Sequence, residues 1–328
     1  MNQEVYTDLA VEAHSLAVNK SGREIEGVSL EEGKTDNTKI TRIEVLNEIG
    51  AAALGKKVGT YITIESQGLK GQNRLVHDEI SEVLSHELQK LINFTDIRPA
   101  SDIEPTIFVV GLGNWNATPD ALGPRVLDGL MVTRHLYNQS PPEIREGMRP
   151  VCALAPGVLG LTGIQTAEII KGVINVVQPD LILAIDSLAA RSTDRLGTTI
   201  QISNTGINPG SGLGKNRLGI TREMMNIPVI ALGVPTVISA ITIVNDAMDN
   251  LFKSEVFSPT ERERFRHTDS QKKERAISGV LNPHMGRLVV SPKGADELIK
   301  DVSRIIAGGI NVALHPDITT ENLSLYLF

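Results

Sequence analysis

Two aspartates stand at places where a strand-ending apolar run meets a loop. Asp120 lies in "GLGNWNATPDALGP" (111–124), just after the run "TIFVV", among glycines, prolines and an amide pair. Asp186 closes "LILAID" and is followed by "SLAARSTDR", which carries Arg191 and Arg195. A carboxylate that ends an apolar strand is partly desolvated, and two carboxylates brought close resist ionising together, so one holds a proton. Such a pair supplies a general acid and a general base. Each residue also has a plainer role open to it. Asp120 would cap a helix beginning near Ala121, and Asp186 would pair with Arg191 or bond loop amides.

The elements that must position these residues follow from the hydrophobic pattern. "KITRIEVL" and "TYITIES" alternate as half-buried strands, with the short helix "NEIGAAALG" between them, after an opening segment that reads as polar. From Asn73 to Phe94 the residues Leu75, Ile80, Val83, Leu84, Leu88, Leu91 and Ile92 recur at helical spacing. The runs "TIFVVGLG", "VCALAPG", "DLILAIDS" and "PVIALGVP" are continuously apolar, as strands covered on both faces are. Helices are expected over 121–137, 163–177, 237–252 and 294–314, and "TTIQISN" as an outer or antiparallel strand. The fold expected is α/β, a mostly parallel twisted sheet with helices on both faces, in one domain (9–328) behind a short N-terminal segment (1–8). Residues 253–283 form a charged insertion. In such a sheet ligands gather beyond the carboxyl ends of the strands, where Asp120 and Asp186 belong.

Composition narrows the partners. The chain has 328 residues, is 41% hydrophobic and only 3% aromatic, and carries a formal net charge of -7, so no basic stripe for nucleic acid is expected. No run approaches a membrane span, and no secretory leader pattern opens the chain. The single Cys152 excludes an internal disulfide and reads as a small buried hydrophobe. "GLGNWN" starts like a dinucleotide fingerprint, but Asn116 takes the third glycine's place; "NPGSGLGKN" resembles a phosphate loop, but Pro209 and Asn216 break the pattern. The seven histidines show no metal-ligand spacing, so neither a metal nor another cofactor is expected. Glu168 in "GIQTAEII" either reaches the rim or is a solvated helical residue, and the amides of "APGVLGLTGIQT" would suit an oxyanion or a carboxylate.

Several long blocks are similar to the germination protease family of spore-forming bacteria: "GLGNWNATPDALGPRVLDGLMVTRHL", "APGVLGLTGIQTAEII", "AIDSLAARS", "TIQISNTGINPGSGLG" and "IPVIALGVPTV", with "TDLAVEA" near the start and "AGGINVALH" near the end. The resemblance runs nearly end to end and is weakest over 253–283. It implies an intracellular, spore-core endopeptidase, made as a zymogen, that cuts small acid-soluble spore proteins and assembles as a homotetramer. It also implies an atypical aspartic peptidase whose essential pair is Asp120 and Asp186, on a fold similar to the hydrogenase-maturation endopeptidases. Family substrates are cut after a glutamate and before a large and then a small apolar residue. Asp8, Leu9 and Ala10 offer that order, so self-processing is expected between Asp8 and Leu9, and Arg191 is expected to set a neighbour's charge or recognise the substrate acid. A metal-dependent maturation-type peptidase and a phosphate- or nucleotide-binding enzyme remain the alternatives.

Overall fold

A computed structural model describes residues 7–97, 104–141, 145, 147–208, 218–253 and 288–322, with isolated positions 258, 260, 263, 276, 279 and 280. The expected insertion at 253–283 and the glycine loop after Asn208 lie almost wholly outside these residues.

Nine strands form one sheet: β1 (Val28–Lys34), β2 (Lys39–Val45), β3 (Gly59–Glu65), β4 (Ile107–Gly111), β5 (Val151–Leu154), β6 (Leu181–Ala190), β7 (Thr199–Ser203), β8 (Val229–Ser239) and β9 (Val289–Val290). Their order is β1-β2-β3-β7-β8-β6-β4-β5, with β9 against the end of β8. The strands β8, β6, β4 and β5 are mutually parallel, whereas β7, β3, β2 and β1 are joined antiparallel. The continuously apolar runs thus make the parallel half, and the alternating ones make the antiparallel half, as burial on two faces or one requires. "TTIQISN" is antiparallel and sits in the middle of the sheet rather than at its outside.

Eight helices are needed to describe the layers: α1 (Ala10–Ser21), α2 (Glu48–Leu54), α3 (Arg74–Leu91), α4 (Leu122–Leu127), α5 (Arg134–Gln139), α6 (Thr166–Val177), α7 (Ala240–Lys253) and α8 (Ala295–Leu314). One face of the sheet is covered by α3, α4 and α8, whose Leu84, Leu88, Leu122, Val126, Ile306 and Ile310 pack on Leu183, Ile185, Ile200, Ile202 and Leu232. On the other face α6 lies over Phe108, Val110, Ile182 and Ala184, while the start of α1 covers Ile43, Val45, Tyr61 and Leu188. Each such aliphatic side chain contributes roughly 1.5–3 kcal/mol on burial.

The structure departs from the sequence expectation in three places. The opening segment holds α1 and β1; β1 is mostly exposed and is held by its ladder to β2, so no apolar alternation marks it. The helix expected over 121–137 is two, α4 and α5, because buried Asn311 of α8 captures the chain between them. Its amide donates to the Gly129 carbonyl at 2.8 Å and its oxygen accepts from the Met131 N–H at 2.9 Å, which are groups a continuous helix would use itself. Finally, β6 and β8 run on to Ala190 and Ser239, beyond the apolar runs that announced them.

His315 closes α8 and is 2% exposed, accepting weakly from the Arg149 N–H at 3.4 Å. Burial lowers its pKa to about 4 from 6.5. The unfolded chain therefore binds more protons between these values, so stability is full above pH 6.5 and falls as the pH drops toward 4, by about 3 kcal/mol. His315→Gln is expected to flatten that slope in urea unfolding measured at pH 7 and pH 4.5; an unchanged slope contradicts the assignment.

Candidate active site

β6 outlasts its neighbour. β4 ends at Gly111, opposite Ile185, and Asp186 is the first residue of β6 beyond that end. The turn after β4 fills the space. Leu112 N–H donates to the Ile185 carbonyl at 2.8 Å, and the chain then folds back through a short 3-10 turn, Thr118–Asp120. That fold-back depends on backbone contact. Gly113 has φ +112, and a Cβ there would stand 1.9 Å from the Asp120 carbonyl oxygen, which itself accepts from the Asn114 N–H at 3.0 Å. Gly123, in α4, lies so close that a Cβ would be 2.6 Å from the Ile185 oxygen. The segments carrying Asp120 and Asp186 are thus brought into backbone contact at one rim. Thr236 of β8 donates to the Pro119 carbonyl at 2.6 Å, and Thr118 donates to Asp296 at 2.7 Å, so the turn is tied to the sheet and to α8.

Asp120 is partly exposed and does not cap α4: the N-cap position is Ala121, with no side-chain cap. Asp186 is 6% exposed and accepts from the Ser187 N–H at 2.8 Å. Glu168 is exposed at the first turn of α6, where its carboxylate accepts from the Gln165 N–H at 3.2 Å as half of a capping box. It serves its own helix. Cys152 is half-buried, and burial pushes its thiol up, which suits a packing residue better than a nucleophile.

The N-terminal segment lies against the same strand. The Asp8 N–H donates to the Ala189 carbonyl at 3.2 Å, and the Asp8 carboxylate accepts from the Ala189 N–H at 2.8 Å. Leu9 is fully buried, packed with Ile43, Tyr61 and Leu188. Glu12, also buried, accepts from the main-chain N–H of Arg191 at 2.8 Å and of Ser192 at 2.9 Å, from the Thr7 hydroxyl, and faces Arg195 at 3.6 Å. Arg191 therefore meets this segment through its backbone, while its Nε is buried with no hydrogen-bond partner. Residues 7 and 8 line a cleft of about 980 Å³ together with Lys56, Leu188, Arg191, Gln201 and Gly233.

Lys56, Gln201, Glu12 and Ala189 were not found by sequence reasoning. Lys56 sits in "GKK", which reads as the polar end of a helix, and Gln201 is one polar position of an alternating strand. No local signal separates either from a solvated residue. Among the described residues no group of three or more His, Cys, Asp or Glu could hold a metal ion, and no helix is long and apolar enough to cross a membrane.

A family model described as germination protease matches residues 7–267 and 263–327. The chain belongs to the germination protease family. It is 46% identical over 328 residues to the germination protease of Clostridium perfringens, spanning 98% of this chain and 99% of that one. Against the germination protease of Halalkalibacterium halodurans it is 38% identical over 364 residues, spanning 98% and 96%. Among solved structures it is similar to the [NiFe] hydrogenase maturation protease HycI of Thermococcus kodakarensis, with a TM-score of 0.35 and 16% identity over 70% of this chain and 98% of that one. Membership of the germination protease family makes the chain a protease, and the rim of β4 and β6 is its candidate site.

Because Gly113 holds the Asp120 turn by main-chain contact, Gly113→Ala is expected to keep the sheet but displace Asp120. Peptidase activity should fall at least tenfold, with a stability loss of roughly 1–3 kcal/mol from the strained φ. Full activity at unchanged stability would show that the turn does not depend on this contact.

Proposed function

We propose that the chain is an endopeptidase of spore germination, made as a zymogen, in which Asp120 and Asp186 act as an acid and base pair on a peptide bond. Its substrates on this reading are small acid-soluble spore proteins, its working form a homotetramer, and its place the spore core. The observation that supports it most is the lie of Asp8–Leu9: this bond borders the cleft beside the β6 extension, with its acid side chain on Ala189 and its leucine fully buried. One aspartate takes a proton from water as the oxygen attacks the Asp8 carbonyl carbon. The other gives a proton to the Leu9 nitrogen as the C–N bond breaks, leaving a new carboxyl group at Asp8 and a free amine at Leu9. Arg191, beside the cleft, is the candidate to set the charge of this pair or to meet a substrate acid.

Asp120→Asn and Asp186→Asn should each stay folded and lose about a hundredfold or more in peptidase activity. Comparable activity in either variant ends the acid and base assignment. N-terminal sequencing of the wild-type chain incubated at mildly acidic pH should give a new start at Leu9, and a start elsewhere removes the processing site. Chelators should leave the activity unchanged; loss with recovery on added metal would favour the metal-dependent alternative.

A further inference from the structure

The carbonyl of Asp8 is held by two side chains that the aspartate pair does not require. Lys56 Nζ donates to it at 2.9 Å and also to the Thr7 carbonyl at 2.9 Å, while Gln201 Nε2 donates to it at 3.0 Å. The same Gln201 amide turns its oxygen to the Ala10 N–H at 2.6 Å. One side chain thus spans the Asp8–Leu9 bond, taking the carbonyl before it and the N–H two residues on, as a neighbouring strand's backbone would.

Sheet geometry sets this grip in the same row as Asp186. Gln201 of β7 pairs with Gly233 of β8, and Gly233 pairs with Asp186 of β6, so the three form one row across the sheet. Ile200, Ile202, Leu232 and Ile185, their chain neighbours, all pack in the core on the α3 and α8 face. Alternation therefore turns Gln201, Gly233 and Asp186 to the face where α1 lies. Two strand spacings, roughly 10 Å, separate the outer two. The Leu188 side chain packs directly over Gly233, where a Cβ would stand 2.6 Å from Leu188 Cγ, so only glycine fits beneath it.

We propose that Lys56 and Gln201 hold and polarise the carbonyl of the bond to be cut, so that the cleft stabilises the oxyanion from this side and leaves the aspartates the proton transfers. This rests on the reading of Asp8–Leu9 as the self-processing bond. The donors are aimed before reaction begins, as groups that stabilise a developing oxyanion must be. Burial lowers the Lys56 pKa against the raising influence of Asp8 and Glu12, and the amine donates hydrogen bonds in either protonation state. Once the N-terminal peptide leaves, the same two groups face the cleft for a peptide bound in trans, and the Ala189 N–H is in place for the acid before its scissile bond.

The test uses the self-processed chain and a synthetic peptide spanning the sequence of residues 4–14. Lys56→Met is expected to lower kcat about a hundredfold with KM changed less, Lys56→Gln to fall between it and wild type, and Gln201→Leu to lower kcat at least tenfold. Gln201→Glu, which keeps the acceptor for Ala10 but replaces the donor by an anion, should lose as much as Gln201→Leu. Wild-type kcat in Lys56→Met and Gln201→Glu overturns the proposal and leaves the two residues as a lock on the N-terminal segment. A second readout is independent of cleavage: in an uncut Asp120→Asn, Asp186→Asn chain, added Gln201→Leu should speed amide exchange at Ala10 at least tenfold. If wild type fails to cut the peptide between Asp and Leu, the processing assignment fails, and unchanged Ala10 exchange would then also reject the grip.

Discussion

The arrangement depends on one strand being longer than its neighbour. β6 continues through residues 186–190 after β4 has stopped at Gly111, and only β8 accompanies it. That mismatch ends the parallel sheet in a notch. Into it fall Asp186 itself, the fold-back that carries Asp120, and the N-terminal segment hydrogen-bonded to Ala189. Were β4 to run as far as β6, backbone ladder bonds would occupy the place where these groups meet.

The buried charge of Glu12 beside the notch is well partnered. Glu12 would be costly where it lies without the N–H groups of Arg191 and Ser192, the Thr7 hydroxyl and Arg195, and it fixes the N-terminal segment to the end of β6 through them. Hydrogen bonds to charged groups contribute roughly 1.5–3 kcal/mol each, and the full burial of Leu9 adds to them. Residues 7–12 are therefore held as firmly as a core element. Cutting the chain between Asp8 and Leu9 would divide this set, leaving Glu12 and Leu9 on one side and the Lys56 contacts on the other.

Much of this was legible in the sequence. The continuous apolar runs gave the parallel strands, the helical spacing of 73–94 gave α3, and the two out-of-place aspartates pointed to the rim. What escaped was set by contacts across long chain separations. Asn311 breaks the expected 121–137 helix from almost two hundred residues away, a tertiary bond that overrides a sound local pattern. β1 escaped because ladder bonds, not an apolar face, hold it. Glu168 offered itself as a rim residue, yet its spacing from Gln165 also made a capping box, and that local bond is the one it forms.

By itself the sequence determined the strand and helix periods, the two acids at strand ends and the family to which the chain belongs, because these are properties of residue type and spacing along one dimension. Only the tertiary structure decided that Lys56, Gln201 and Ala189 converge on the Asp8 carbonyl and carboxylate. They lie 48, 193 and 181 residues from Asp8 along the chain, and nothing in a lysine after a helix or a glutamine in an alternating strand says which backbone atom it will meet. Strand order and register settle that, since they alone put β7, β8 and β6 side by side in one row.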